Sequence, residues 1–501
     1  MTDSQKRNNI ISSIIFFIIL LGTSTVFMSF FAYCTSPLSN VNDGYDAAFF
    51  RLVGQGMTKG YLPYRDFYDM KGPYLFLIQY VGQMISYGRK GIFAIQSLNL
   101  SLALFIISKI FEYFNIKKIA QFLLLMPILL VCTFTFEGAN LTEEFSLIPV
   151  LVCLYIGLIF FDKCETQSDF WQKKIYLIAG SIFGICFGYL VMVRITNAAF
   201  ICAIVLVIII YLIVKKKFVK LAVCAGSFIA GLIVSLIPAV LFFYSKGLLK
   251  EMLEAVFVLG VKYSGEKTFV QHLIDIAKGP NKQLIFLLAI PGIIPAVIGW
   301  KSWKERSLAV IGAAMIFFAI ASGNNYVHYY NLAIPLIVMC EIPVALELKK
   351  TAINRRSVAA IVLAVLMITC QYPLIKYYTV VSKQFIIQKN FNNTREIIRD
   401  ISDKIPEEDK DSVYAYNIDP YWYTYADLFP CIKYCGWHEH YIKLIPEISD
   451  DLEQIFNENP PAWLVLPCDH GYMPDFMEEK LGTEYELSYQ NERYHLYHHI
   501  G

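Results

Sequence analysis

From Ile10 to Tyr378 the chain alternates long apolar runs with short clusters of charge, and from Lys383 onward charge becomes dense and mixed in sign. Runs such as Phe200 to Val214 and Ala222 to Phe243 are too many for a soluble protein to hide. Lipid accommodates them, because a helix satisfies its own backbone hydrogen bonds and about 20 apolar residues cross the hydrocarbon layer. The pattern predicts spans at 10–31 and at about 91–112, 118–135, 145–161, 175–193, 197–214, 219–244, 283–299, 307–321, 332–346 and 357–376. Lys6 and Arg7 precede the first run, which is longer than the apolar stretch of a signal peptide and lacks a small-x-small cleavage site. It therefore reads as a retained first helix with a cytoplasmic N-terminus.

One apolar stretch, Tyr74 to Tyr87, is short and interrupted by Gln79, Gly82 and Gln83. Whether it spans decides the orientation of everything after it. If it does not, the clusters Lys117/Lys118, Lys163/Lys173/Lys174, Lys215/Lys216/Lys217/Lys220, Lys301/Lys304/Arg306 and Lys349/Lys350/Arg355/Arg356 all fall inside. The short outer loops 136–144, 194–196 and 322–331 then carry a single Arg194. Arg89, Lys90 and the lysines of 245–282 count the other way, but the excess of Lys and Arg in short cytoplasmic loops outweighs them. The expectation is an all-α polytopic membrane protein with about eleven transmembrane helices. Residues 74–87 lie along the outer surface as a juxtamembrane helix.

A soluble extracytoplasmic domain, 377–501, follows the transmembrane module 1–376. Its Asn/Thr/Glu-rich opening reads as a helix, and Val413–Ala415 and Trp463–Leu466 read as short strands in an α/β alternation. Of the 501 residues 56% are hydrophobic and 17% charged, against about a quarter charged in soluble domains. The net charge of +2, with no basic stripe, argues against nucleic acid as a partner. Of 12 cysteines most lie in apolar spans; outside them, pairing of Cys431 or Cys435 with Cys468 and free thiols are both open.

Candidate chemistry concentrates in the outer loops. The first reads Asp43-Gly-Tyr-Asp46 with Arg51 behind it, then Gly60-Tyr-Leu-Pro63-Tyr-Arg65-Asp66-Phe-Tyr-Asp69-Met-Lys71-Gly72-Pro73. A solvated loop would explain the charges alone, but the Gly, Pro and aromatic residues among them point to an ordered interfacial segment. Asp43 and Asp46 would share a face of a helix. In the second loop Thr142 can cap a helix opened by Glu143 and Glu144; one acid suits that end, and the other is left for a further role. The third loop holds His328, Tyr329 and Tyr330, where an interfacial His is the ordinary reading. Arg194, basic on the outer side, either snorkels or meets an anionic partner. No Walker loop, zinc-protease helix or nucleophile elbow is present, and ionisable residues inside the spans are few.

The order first-loop Asp, Gly60-x-x-Pro63-Tyr-Arg-Asp66, Asp69-x-Lys71-Gly-Pro73 resembles integral-membrane glycosyltransferases of the GT-C fold, in the family-39-like group. That group includes protein O-mannosyltransferases and the transferases that put aminoarabinose on lipid A. The loops around Glu143/Glu144 and His328/Tyr329 fall where such proteins carry later motifs. The sequence departs from the group at Ala47, where many members place a second acid after the first-loop Asp. The resemblance implies transfer of a hexosyl or pentosyl group from a polyprenyl-phosphate carrier to a lipid, glycan or protein acceptor on the outer face. Asp46 would be the base, with Asp43 or Asp66 as replacements, and Lys71, Arg194 and His328 would face the donor phosphate. Glu143 or Glu144 would orient a divalent cation, the acceptor or a basic residue; Asp69 and Tyr329 complete the candidate set. The competing readings are a polysaccharide or lipid-linked oligosaccharide transporter, which should carry mid-membrane ionisable residues, and a polymerase, which should carry Arg-rich outer loops.

Overall fold

The computed structural model describes residues 3–39, 44–166, 169–260, 262, 268–278, 294, 303–321, 326–348 and 392–501. It resolves into two compact units. One comprises Met1–Ala32, Ala94–Phe242 and Ser264–Ser382; the other comprises Tyr33–Phe93, Phe243–Tyr263 and Lys383–Gly501. The expected boundary near 376/377 lies outside the described residues.

The helices of the first unit follow the apolar runs: α1 (Asp3–Phe31), α4 (Arg89–Tyr113), α5 (Lys118–Thr135), α6 (Thr142–Thr166), α7 (Asp169–Val191), α8 (Ala199–Val214) and α9 (Phe218–Ser245). Helices Trp303–Ala321 and Ile334–Leu348 follow. Seven described helices are long and apolar enough to cross a membrane: Ile10–Phe31, Arg89–Tyr113, Thr142–Glu165, Lys174–Val191, Ile195–Val214, Phe218–Ser245 and Val327–Glu347. Lys118–Thr133 and Arg306–Phe318 are shorter apolar helices, and the predicted spans 283–299 and 357–376 lie outside the described residues. The chain is thus a multi-pass membrane protein. Large apolar side chains such as Ile14, Ile18, Ile229, Ile233 and Leu241 face outward, as lipid contact requires.

Association of such helices depends on close backbone approach, because lipid removes the hydrophobic drive between them. The α7–α9 pair shows this directly. A Cβ on Gly180 would lie 2.0 Å from Ser227 Oγ, and one on Gly184 would lie 2.0 Å from the Phe228 carbonyl oxygen. Gly231 approaches the Ser181 carbonyl in the reverse direction, at 2.3 Å.

The second unit is built from α2 (Tyr45–Thr58), α3 (Pro73–Ile85) and the C-terminal segment. The segment between the first two spans is therefore largely helical, in keeping with the order expected of it. In α2 every residue from Ala47 to Gly56 is buried, and Gly54 lets α3 come so close that a Cβ there would sit 2.7 Å from Gln79 Cβ. Helix α3 covers most of the stretch 74–87 and is two-faced, with Leu75, Phe76 and Gln79 buried and Leu77, Val81 and Met84 exposed. That is the form expected of a helix lying along an interface.

The C-terminal segment opens with the expected helix, Asn392–Ser402, and carries a four-stranded sheet. Its strands are β1 (Val413–Ala415), β2 (Trp463–Pro467), β3 (Tyr485–Gln490) and β4 (Tyr494–His499), in the order β1-β2-β4-β3. Strands β1 and β2 are parallel, with Tyr414 opposite Leu464; β4 runs antiparallel to both β2 and β3. The core beneath the sheet joins Tyr414, Leu452, Phe456, Leu464 and Leu466 to Met70 and Leu259. Residues 33–93 are tied into the same unit. The Tyr68 N–H donates to the Lys433 carbonyl at 2.9 Å, Arg51 to Thr424 Oγ1 at 3.0 Å and Arg89 to the Tyr425 hydroxyl at 2.7 Å. Cys431, Cys435 and Cys468 are free thiols.

Candidate active site

Each unit holds one group of the residues singled out by sequence. In the second unit, Asp46 stands in the first turn of α2, where the helix dipole favours a carboxylate. Its Oδ1 is buried without a hydrogen-bond partner. Asp69 is 1% exposed; its Oδ1 accepts the Lys71 N–H at 2.9 Å and lies 3.6 Å from Lys71 Nζ, while its Oδ2 is buried and unpartnered. Burial pushes the Asp69 carboxyl above the ordinary aspartate range; the Lys71 charge partly offsets this, and the neighbouring Asp46 charge adds to it. The Lys71 ammonium also sits over the Phe50 ring, 5.5 Å from its centroid. The Tyr64 hydroxyl donates to the Lys71 carbonyl at 2.8 Å, and Tyr64 itself holds a left-handed φ of 69°.

Asp66 does different work. Its Oδ2 accepts the Leu62 N–H at 2.6 Å and pairs with Arg65 at 2.7 Å, closing the Gly60–Phe67 turn. This makes it a turn-forming residue rather than a replacement base. Asp43 lies outside the described residues.

The C-terminal segment adds groups that sequence reasoning had not placed here. Tyr441 is buried beside the Asp69 and Asp46 carboxylates, and its hydroxyl has no partner. His440 lies near Lys71; burial and that charge together push its imidazole below the ordinary histidine value. The Trp437 ring packs on Tyr45 at 4.3 Å, and the Trp437 N–H donates to the Tyr45 hydroxyl. Three buried polar atoms, on Asp46, Asp69 and Tyr441, thus lack partners in one neighbourhood. Such groups are rare in native interiors and carry a desolvation cost of about 1–3 kcal/mol each. In the C-terminal stretch, Trp437 and His440 stood out only as an aromatic and a histidine amid ordinary surface charge, and no spacing linked them to the first segment.

In the first unit, Arg194 and Glu143 form a buried ion pair, Nη1 to Oε1 at 2.9 Å, with side chains 9% and 1% exposed. Arg194 stacks on the Tyr329 ring, 4.3 Å from its centroid, and donates to the Tyr329 hydroxyl. Within the chain Arg194 is paired with Glu143, and the pair leaves Glu143 Oε2 buried and unbonded.

Glu144 has the structural share of the acidic pair. Its Oε2 accepts the Gln96 amide at 2.8 Å and the Asn140 N–H at 2.9 Å. Thr142 does not cap α6, since its Oγ1 is buried without a partner; Glu144 reaches back to the turn before the helix instead. That turn holds four consecutive left-handed residues, Glu137, Gly138, Ala139 and Asn140, with φ of 44°, 93°, 68° and 65°. Left-handed backbone disfavours three of them by roughly 1–2 kcal/mol each, and the bond from Glu144 helps hold the turn. The turn presents Glu137 to His328, Oε2 to Nδ1 at 2.5 Å. Gln96 and Asn99, whose amide donates to the Glu144 carbonyl at 2.9 Å, were legible as polar residues three apart in an apolar helix. Among the described residues no three His, Cys, Asp or Glu side chains converge as a cation site.

No protein-family model matches the sequence, and no curated protein matches it. Solved structures do match its fold. ArnT from Cupriavidus metallidurans in the apo state aligns with a TM-score of 0.58 and 12% identity, covering 96% of this chain and 97% of that chain. The same protein bound to undecaprenyl phosphate aligns with a TM-score of 0.55 and 11% identity over 96% and 97%. At these identities the likeness is one of fold, and it extends over nearly the whole of both chains: this protein has the ArnT-like GT-C fold that its first-segment motif implied.

Proposed function

We propose that the protein is a membrane glycosyltransferase that moves a hexosyl or pentosyl group from a polyprenyl-phosphate carrier to an acceptor on the outer face. The observation that carries the reading is the first-segment group: carboxylate oxygens of Asp46 and Asp69 buried without partners beside a buried Lys71, in a chain of ArnT-like fold. ArnT has been solved with undecaprenyl phosphate, which matches the donor class proposed here. Inverting transfer needs a base for the acceptor hydroxyl or amine and a positive partner for the departing lipid phosphate. Asp46 is the base, Lys71 meets the phosphate, and Asp69 positions Lys71 through its Oδ1. In the other unit, Arg194, held by Glu143 and Tyr329, and His328, held by Glu137, are the candidates for binding the carrier phosphate.

A proton-coupled transporter would need a relay of intramembrane groups. Glu341 is an acid buried within a span, and among the described residues neither of its oxygens has a hydrogen-bond partner that would link it into a relay.

The outer face follows from the distribution of Lys and Arg. A cysteine replacing Lys246, at the end of α9, should react with an impermeant reagent added outside, and one replacing Lys216, before its start, should not; the reverse pattern would put the proposed chemistry on the wrong side. The function itself is tested with purified protein, a panel of polyprenyl-phosphate sugars and a membrane-lipid extract, by following release of polyprenyl phosphate. Sugar-dependent release supports the reading, and its absence with every donor rejects it.

A further inference from the structure

A cavity of about 320 Å³ lies between α7, α8 and α9 in the first unit, with Ala179, Phe183, Ile208, Cys224, Ala225 and Ile229 in its walls. Gly180, also on its wall, is one of the positions where α7 and α9 come together most closely, so the space lies beside a tight seam rather than within loose packing. The described walls are apolar throughout, apart from the Cys224 thiol. Ala179, Phe183 and Cys224 are buried, whereas Ala225 and Ile229 are exposed at the rim. All three helices are membrane spans, so that rim faces lipid. Water finds none of the two to four polar partners it needs in such a space, and the surrounding solvent that can fill it is hydrocarbon.

One end of the cavity is marked by tyrosines and lysines. Tyr176 stands one turn before Gly180 on α7, and Lys220 one turn before Cys224 on α9. The Lys220 ammonium lies over the Tyr176 ring, 5.2 Å from its centroid, and the Lys217 ammonium lies over the Tyr211 ring at 5.6 Å. The rings are themselves fixed. The Tyr176 hydroxyl accepts the Cys164 thiol at 3.2 Å, and its carbonyl accepts the Cys224 thiol at 3.4 Å. The Tyr211 hydroxyl donates to Glu165, which also pairs with Lys215 at 3.3 Å.

Apolar walls and a basic end together select the occupant. The segments 162–174 and 215–220, at this end of the spans, hold seven lysines against three acids, so the end is electropositive. A chain that enters the cavity there carries its headgroup to Lys217 and Lys220, where an anion gains and a zwitterion gains less. Basic pockets between spans hold lipid phosphate groups for this reason. The polyprenyl carrier is the other lipid phosphate to weigh. Glu143 and Arg194 stand at the far ends of α6 and α7 from Glu165 and Tyr176, so a carrier phosphate held there cannot also rest on Lys217 and Lys220.

We propose that the cavity between α7, α8 and α9 holds one acyl chain of an anionic phospholipid whose phosphate rests on Lys217 and Lys220. The assignment stands whether or not the chain is a transferase.

The test is native mass spectrometry of the full-length protein, stripped of lipid in detergent and titrated with dioleoyl phosphatidylglycerol, dioleoyl phosphatidylcholine or undecaprenyl phosphate. One phosphatidylglycerol should be retained at a concentration about 10-fold below that needed for phosphatidylcholine. The double variant Lys217→Gln, Lys220→Gln should need about 10-fold more phosphatidylglycerol and an unchanged amount of phosphatidylcholine. Ala225→Phe, which fills the cavity from its lipid-facing rim, should weaken retention of phosphatidylglycerol with both lysines in place. Size-exclusion profiles confirm that the variants stay folded, and the lysine variant, altered outside the packed interior, reports even where Ala225→Phe does not fold. Equal retention of the two phospholipids, or unchanged retention of phosphatidylglycerol in the lysine variant or in folded Ala225→Phe, would overturn the proposal. Displacement of phosphatidylglycerol by an equal concentration of undecaprenyl phosphate would overturn it too, and would give the cavity to the carrier.

Discussion

Replacing Asp46 and Asp69 by asparagine, one at a time, should separate chemistry from architecture. Asp46 makes no ion pair among the described residues, and its Oδ1 is already without a partner. The Asp46→Asn substitution should therefore leave stability within roughly 0.5 kcal/mol of the parent. The amide cannot accept a proton, and loss of a general base lowers turnover by about 10²–10⁴-fold, or roughly 3–5 kcal/mol of barrier. Asp69 differs because it is the carboxylate next to a buried ammonium. An asparagine there still accepts the Lys71 N–H but no longer balances the Lys71 charge. Burial raises the Asp69 carboxyl in spite of Lys71, so the ionised pair does not repay its desolvation, and a neutral asparagine should cost little stability. Asp69→Asn should thus lower the rate, by loosening Lys71, while leaving the melting temperature in detergent close to the parent's.

The two acids are also coupled. Burial holds the Asp69 carboxyl above its ordinary value, so the stability that Asp69 contributes is greatest at low pH and is lost as pH rises through the folded value. Removing the Asp46 charge takes away one of the upward pushes on Asp69, so in Asp46→Asn that loss should begin at lower pH. The assay is release of polyprenyl phosphate, paired with melting curves across pH. Near-normal turnover by Asp46→Asn would refute the assignment of the base. An Asp69→Asn protein that melts several degrees below the parent would show that the ionised pair repays its burial and would refute this reasoning.

Three further outcomes follow from the geometry. Glu144→Ala removes the acceptor of Gln96 and of the Asn140 N–H from a turn of four left-handed residues, and should reduce the yield of folded protein by size-exclusion chromatography more than Glu144→Gln, which keeps an acceptor oxygen. Gly184→Val should separate α7 from α9, since even a Cβ would lie 2.0 Å from the Phe228 carbonyl; loss of monodisperse protein is expected, against little change for Gly22→Val, where nothing lies within 4 Å. His438 is buried and pushed down from 6.5 to about 4, so it stays neutral in the folded protein while the unfolded chain takes up a proton. Its contribution is full above pH 6.5 and is lost as pH falls toward 4, by roughly 3 kcal/mol; melting curves of His438→Gln should be flatter across that window.

The architecture was legible where physics acts locally. Hydrophobic length located α1 and α4 to α9, because a span must bury its backbone in itself whatever its neighbours are. Strands β1 and β2 showed as apolar runs, Val413–Ala415 and Trp463–Leu466, since the first is buried throughout and the second nearly so. Strands β3 and β4 escaped notice for the converse reason. Their more exposed faces carry Glu486, Ser488, Gln490, His495 and His499, and a polar face beside a buried one reads as ordinary surface until a partner strand is known.

The same distinction runs through the candidate site. Residue types were visible: an acid at the mouth of a helix, a lysine between two glycine-proline turns, an arginine on the side of the membrane where bases are scarce. Pairings were not. Arg194 and Glu143 are 51 residues apart, and His328 and Glu137 are 191 apart. Nothing at either end specifies the other, since any carboxylate could answer either base. What the three-dimensional arrangement adds is which charges are already balanced. Glu144 and Asp66 have local duties, bonding the Asn140 and Leu62 N–H groups. Asp46, Asp69 and Tyr441 keep buried oxygens with nothing to bond. Evolution of a fold alone would fill such positions with apolar side chains of similar shape, because an unsatisfied buried oxygen only weakens it. The start of α6 keeps such atoms too, on Thr142, Glu143 and Glu144, but there Glu143 is already spent on Arg194; Asp46 makes no ion pair among the described residues, and that is why the first segment carries the proposed chemistry.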